Sequence, residues 1–210
     1  MTGPRIAVVD YGIGNLRSAE KALQHLNADA ALTSDPRAIE SADAVVLPGV
    51  GAFGACMQAL RSAGLEGATK AAATDGRPFL GICIGMQMLF AGSDESPEVA
   101  GLGIIAGRVT LLPRTVRLPQ MGWNTLDVVA GSRLGADLPE PTWLYFVHSY
   151  APEPDDQSVV AGWCDYGRRF AAAVERGPVW ATQFHPEKSG AAGLRMLSNF
   201  VGAVDSRLTV

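Results

Sequence analysis

The chain is poor in cysteine, in clustered positive charge and in long apolar runs. Its 210 residues include three cysteines, Cys56, Cys83 and Cys164, far apart in sequence. An odd number with no CxxC pair argues against a disulfide framework and a zinc site, so no metal is expected. Unpaired thiols suit a reducing compartment, and a cytoplasmic location is expected. Seventeen Lys and Arg face twenty-one Asp and Glu, a net charge of −4, and no basic run exceeds Arg168-Arg169. The basic patch that nucleic acid demands is therefore missing. The uncharged stretch Ala44–Leu60 is broken by Pro48, Gly49, Gly51 and Gly54. A spanning helix needs about 20 apolar residues, so no membrane segment is read. The apolar run Ile6–Val9 is too short for a signal-peptide core.

What is present is a globular composition: 48% apolar and 18% charged residues. That excludes global disorder, and the length fits one domain over residues 1–210. The first half alternates two patterns. Arg5–Val9, Asp43–Leu47 and Pro78–Cys83 read as buried strands. Helical stripes follow them: Leu16, Ala19, Leu23 and Leu26; then Phe53, Met57 and Leu60; then Ile84–Phe90. This order predicts a parallel sheet with right-handed crossovers. The second half offers short β-rich segments at Arg108–Leu112, Trp123–Val129, Trp143–His148, Val159–Cys164, Phe170–Glu175 and Val179–Phe184. A last helix carries Leu194, Leu197, Phe200, Val201 and Val204. Pro152–Asp156 reads as an acidic loop. The expected fold is α/β: a single domain with a mixed, mainly parallel sheet flanked by helices.

The chemistry concentrates in Gly81-Ile82-Cys83-Ile84-Gly85. A strand runs into it and a helix leaves it, the setting of a nucleophile elbow. Small neighbours permit the tight turn, and the unpaired N–H groups of a helix start favour a thiolate. The plain alternative is a structural cysteine between packing glycines. A thiolate needs an acid–base partner, and the chain has three histidines. His25 lies on the first helix and reads as solvated surface. His148 closes one strand and His185 another. Glu187 lies two residues after His185, so in extended backbone both side chains share a face and the carboxylate can orient the ring. His148 has no acid within two positions. Cys83 and His185 both fall at carboxyl ends of strands, where open α/β sheets place their sites. The N–H of Ile84, and the turn Pro48-Gly49-Val50-Gly51, are candidate donors to an oxyanion.

These residues resemble the class I, or triad, glutamine amidotransferases. The segments carrying the resemblance are Gly81–Gln87, Phe184-His185-Pro186-Glu187-Lys188-Ser189 and Pro48–Gly51, in family order along nearly the whole chain. Asp10-Tyr11-Gly12-Ile13-Gly14-Asn15-Leu16, Met121-Gly122-Trp123-Asn124 and Tyr145–Tyr150 are similar to the glutaminases of imidazole glycerol phosphate synthases. The resemblance implies hydrolysis of L-glutamine through a Cys83 thioester, with His185 as acid and base and Glu187 as its orienter. It implies an oxyanion hole from Val50 and Ile84, a glutamine pocket lined by Gly51, Gln87, Ser149 and Tyr150, and no cofactor. It further implies ammonia transfer, within a heterodimer, to a (β/α)₈-barrel cyclase subunit, with Trp123, Asn124, Tyr145 and Lys188 near that partner. Four alternatives stand beside it: a glutaminase serving another synthase, a different thiol hydrolase, an inactive regulatory copy of the fold, and a nucleotide site at Gly12 and Gly14. The last is weakened by Arg17 where a third glycine belongs.

Overall fold

The computed structural model describes residues 3–14 and 16–208. Asn15, part of the first resemblance segment, lies outside them. The elements run β1 (Arg5–Val9), α1 (Arg17–His25), β2 (Asp29–Thr33), α2 (Pro36–Ser41), β3 (Ala44–Gly49), α3 (Phe53–Ser62), α4 (Glu66–Ala72), β4 (Phe79–Cys83), α5 (Ile84–Met88), β5 (Gly107–Leu111) and β6 (Gln120–Val128). They continue with β7 (Thr142–His148), β8 (Tyr150–Pro154), β9 (Val160–Asp165), β10 (Arg169–Arg176), β11 (Val179–Thr182) and α6 (Gly190–Leu208).

One nine-stranded sheet takes the order β2-β1-β3-β4-β11-β10-β9-β6-β7. The five strands from β2 to β11 are parallel, and β10, β9, β6 and β7 add antiparallel pairings. β3 and β4 are buried along their whole length, as central parallel strands covered on both faces must be. This is the expected α/β architecture with a mixed sheet. On α1, Ala19 and Leu23 are buried while His25 is exposed, as its stripe predicts. α2 is opened by Asp35, whose carboxylate accepts from the Arg37 N–H, with Pro36 in the first turn.

One reading is corrected. Pro152-Glu153-Pro154 is not loop but the end of β8, which pairs antiparallel with β5 in a separate two-stranded sheet. This small edge pairing tolerates prolines, which lack a ladder donor. The predicted helix at Ile84–Phe90 stops at Met88. Among the described residues, no helix is long and apolar enough to cross a membrane.

The sheet order fixes what can meet. β3, β4 and β11 are neighbours, with Gly49 level with Cys83 and Thr182 level with Ile82. Their carboxyl ends therefore present Val50, Cys83 and the His185 segment side by side.

Candidate active site

Cys83 ends β4 and starts α5 with φ 55° and ψ −111°. A non-glycine residue there is strained, and such strain persists only where the surroundings impose it. Three glycines impose it by letting backbone meet backbone. A Cβ on Gly85 would lie 1.8 Å from the Leu47 carbonyl oxygen. A Cβ on Gly81 would lie 3.0 Å from the Gly85 oxygen and the Met86 nitrogen, and one on Gly49 would lie 2.9 Å from the Gly85 nitrogen. The helix start is thus pressed against β3 and β4, and the spacing read as an elbow is an elbow.

His185 follows β11 and opens a 3-10 turn, Pro186–Lys188. Its Nδ1 lies 2.8 Å from Glu187 Oε1, and both side chains are nearly buried. The segment is tied down on several sides. The His185 N–H donates to the Tyr145 carbonyl, and the Ser189 hydroxyl donates to the His185 carbonyl at 2.7 Å. That hydroxyl in turn accepts from the Tyr145 N–H. With Nδ1 engaged by Glu187, Nε2 is the free ring nitrogen, buried and without a hydrogen-bond partner. Burial disfavours the imidazolium, but the Cys83 sulfur and the Glu187 carboxylate outweigh it and push the His185 pKa up to about 9. Cys83 and His185 line one cavity, and at neutral pH the ring holds the proton a leaving amine needs.

A folded-state pKa above the ordinary 6.5 makes stability depend on pH in one direction. The contribution is complete below about pH 6.5 and disappears as pH rises through about 9. Its size is roughly 3 kcal/mol, from about 1.4 kcal/mol per pKa unit. Urea unfolding at pH 6 and pH 10 should show the wild type losing more stability than His185→Asn by an amount of that order. Parallel losses in the two proteins would contradict the pairing.

His148, the competing base, is placed otherwise. Its ring lies between Phe146 and Phe170, with centroids 5.7 and 5.2 Å away. Nδ1 donates to the Tyr150 carbonyl at 2.9 Å, and burial pushes its pKa down to about 4. It is a neutral ring, held by a carbonyl, with no carboxylate to orient it.

A cavity of about 270 Å³ opens over Cys83 and His185. Val50, Gly51, Ile84, Gln87, Ser149 and Tyr150 line it, so every expected oxyanion and pocket residue is brought together there. A larger hollow of about 860 Å³ lies along Thr125–Thr142 and contains none of these residues. The residues expected near a partner lie elsewhere. Trp123 is 53% exposed and stacks edge-on against Tyr145 on the neighbouring strand. Lys188 is exposed. Asn124 is half-buried and spends its amide on the Asp165 carbonyl and the Thr125 N–H.

Two site residues escaped the sequence reading. Gln183 donates to the Cys83 sulfur at 3.7 Å and accepts from Gln87 Nε2 at 3.0 Å. Its signal was available, because it precedes His185 by the same two residues by which Glu187 follows. Glu95 also lines the cavity, and its Oε2 accepts from the Phe53 N–H at the start of α3, where a carboxylate is favoured. No motif marks it. Among the described residues, no cluster of His, Cys, Asp and Glu could hold a metal ion.

Among solved structures, a Thermotoga maritima PurLQS chain aligns with TM-score 0.75 and 20% identity, covering 98% of this chain and 99% of its own. A glutamine amidotransferase crystal structure aligns with TM-score 0.73 and 22% identity, covering 93% and 98%. At such identities they speak for the fold. Among curated relatives, "Imidazole glycerol phosphate synthase subunit HisH" of Symbiobacterium thermophilum is 50% identical over 196 residues, covering 93% of this chain and 92% of that protein. The protein of that name from Methanothermobacter thermautotrophicus is 52% identical over 198 residues, covering 93% and 97%. The family model "Glutamine amidotransferase class-I" matches residues 7–204, from within β1 to within α6, and with relatives at half identity this chain belongs to that family.

Proposed function

We propose that this chain is the glutaminase subunit of an imidazole glycerol phosphate synthase, acting in histidine biosynthesis. Residues 1–210 act as one unit that makes ammonia for a barrel cyclase subunit. The observation that carries the chemistry is the adjacency of three strand ends, which groups Val50, Cys83 and His185 around one cavity. The specific synthase is supported by the names and identities of the curated relatives. Three free cysteines support a cytoplasmic location.

The steps follow from the placements. Glutamine enters the cavity with its ammonium toward Glu95 and its amide carbon over the Cys83 sulfur. The sulfur adds to that carbon, its proton resides on His185, and the N–H groups of Val50 and Ile84 receive the developing oxyanion. The C–N bond breaks as His185 gives its proton to the departing nitrogen, which leaves as ammonia. Water then attacks the thioester while His185 takes a proton, the C–S bond breaks, and glutamate leaves. Glu187 keeps the ring's Nδ1 protonated and so leaves Nε2 to exchange the proton throughout. The cavity is below the roughly 300–1,000 Å³ of drug-sized sites and suits one amino acid.

The exposed strand face around Trp123 is the surface we assign to the cyclase subunit. Large aromatics in such positions carry a disproportionate share of binding energy. Trp123→Ala should weaken binding to the cyclase subunit by at least about tenfold, since anchor residues are worth about 2 kcal/mol or more. Its melting temperature should fall by only a few degrees, because half of the side chain is exposed and the loss within the subunit is the edge-on pair with Tyr145, worth about 0.5–1.5 kcal/mol. Titration of the two subunits by calorimetry checks both the partnership and the face. No binding by the wild type would reject the synthase reading, and wild-type affinity in the variant would reject the face.

A further inference from the structure

The turn bearing Val50 is held from beneath by two side chains that the reaction above does not use. The Tyr11 hydroxyl donates to the Pro48 carbonyl at 2.8 Å. The Cys56 thiol donates to the Val50 carbonyl at 3.3 Å. Both side chains are buried, and they touch each other. A carbonyl only accepts, so both bonds to the turn are donated by these side chains. Burial pushes the Tyr11 phenol and the Cys56 thiol up, so neither donor is lost at neutral pH.

The two carbonyls flank one peptide. The Pro48 oxygen belongs to the peptide before Gly49, and the Val50 oxygen to the peptide after Val50. Between them lies the Gly49–Val50 peptide, whose N–H is the oxyanion donor of the proposed reaction. The neighbours pack closely on the residues at either end of this peptide. A Cβ on Gly49 would lie 2.9 Å from the Tyr11 hydroxyl oxygen, and one on Gly14 would lie 2.4 Å from Val50 Cγ2. The loop after β1 thus packs against the turn through Tyr11 and Gly14, and α3 supplies Cys56.

We infer that Tyr11 and Cys56 are positioning residues for glutamine hydrolysis: they clamp the carbonyls on either side of the Gly49–Val50 peptide and so aim the Val50 N–H. This rests on reading Val50 as an oxyanion donor. An oxyanion forms only at the transition state, so loss of aim lowers kcat and leaves KM in place.

The test uses the complex with its cyclase partner and compares wild type, Cys56→Ala, Cys56→Ser, Tyr11→Phe and Cys83→Ala. Cys56→Ala should lower the glutaminase kcat on the order of tenfold, part of the roughly 10²–10³ that one full oxyanion donor supplies. KM for glutamine should stay within about twofold, because glutamine's ground state carries no charge there. Cys56→Ser keeps a donor for the Val50 carbonyl and should recover most of the loss, which a packing role would not allow. Tyr11→Phe removes only a hydroxyl and should lower kcat in the same way, and it decides the matter if Cys56→Ala does not fold. Unchanged kcat in Tyr11→Phe and Cys56→Ala, equal losses in the Ala and Ser variants, or a loss confined to KM would each overturn the clamp. If Cys83→Ala is inactive and Cys56→Ala matches wild type, only the clamp fails. If Cys83→Ala keeps turning over glutamine, the glutaminase reading fails with it.

Discussion

Cys83→Ala should remove glutamine-dependent turnover by the complex while ammonium salts still drive the cyclase. The expected loss is at least about 10³ in kcat, because a nucleophile working as a unit with its base can account for on the order of 10⁶. The structural reason is the lack of a substitute. Cys56 is buried with its proton on the Val50 carbonyl, and Cys164 is buried beside Gln120 with its thiol pushed up to about 12. Neither lines the cavity. The ammonium control matters because it separates lost chemistry from lost assembly. Glutamine-dependent activity surviving the substitution would reject Cys83 as the nucleophile.

The second large effect separates two histidines that both line the cavity. His185→Ala should lower kcat by about 10²–10⁴, the usual share of a positioned acid–base group. His148→Ala should cost far less turnover and show its damage in the melting temperature. The contrast comes from the environment of each ring. His185 has Glu187 at 2.8 Å and a pKa pushed up to about 9, so it can carry and return a proton near neutrality. His148 spends Nδ1 on a carbonyl, sits between two phenylalanines and is pushed down to about 4. A proton placed there at neutral pH would leave at once. Single-turnover rates and melting curves on both variants check this, and a reversed order would reassign the base.

The sequence made the reactive half of the molecule legible because that half obeys local rules. Apolar runs ended by glycine and proline marked β3 and β4, and their burial on both faces explains why those runs are continuous. The spacing of Gly81, Cys83 and Gly85 revealed the elbow because no other side chains fit where Leu47 and Gly85 touch. The i, i+2 rule found Glu187 from His185. Other features depend on packing that no local pattern records. β2, α2 and α4 are short and weakly patterned and escaped notice. Pro152 and Pro154 look like loop, yet they lie on a two-stranded edge pairing that does not need every donor. The neutrality of His148 follows from burial against Phe170, on a strand distant in sequence. Glu95 reaches the cavity only because it is fastened to the first turn of α3, 42 residues away.

The most direct measurement is the intact mass, followed by peptide mapping, of the complex inactivated with a chloroketone analogue of glutamine. That reagent places an alkylating carbon where the amide carbon of glutamine would sit, within reach of whichever sulfur attacks. One adduct on Cys83, blocked by excess glutamine and lost on His185→Ala, is the result expected of a thiol activated by its neighbouring imidazole. Modification of Cys56 or Cys164 with Cys83 untouched, or labelling that glutamine does not slow, would contradict it.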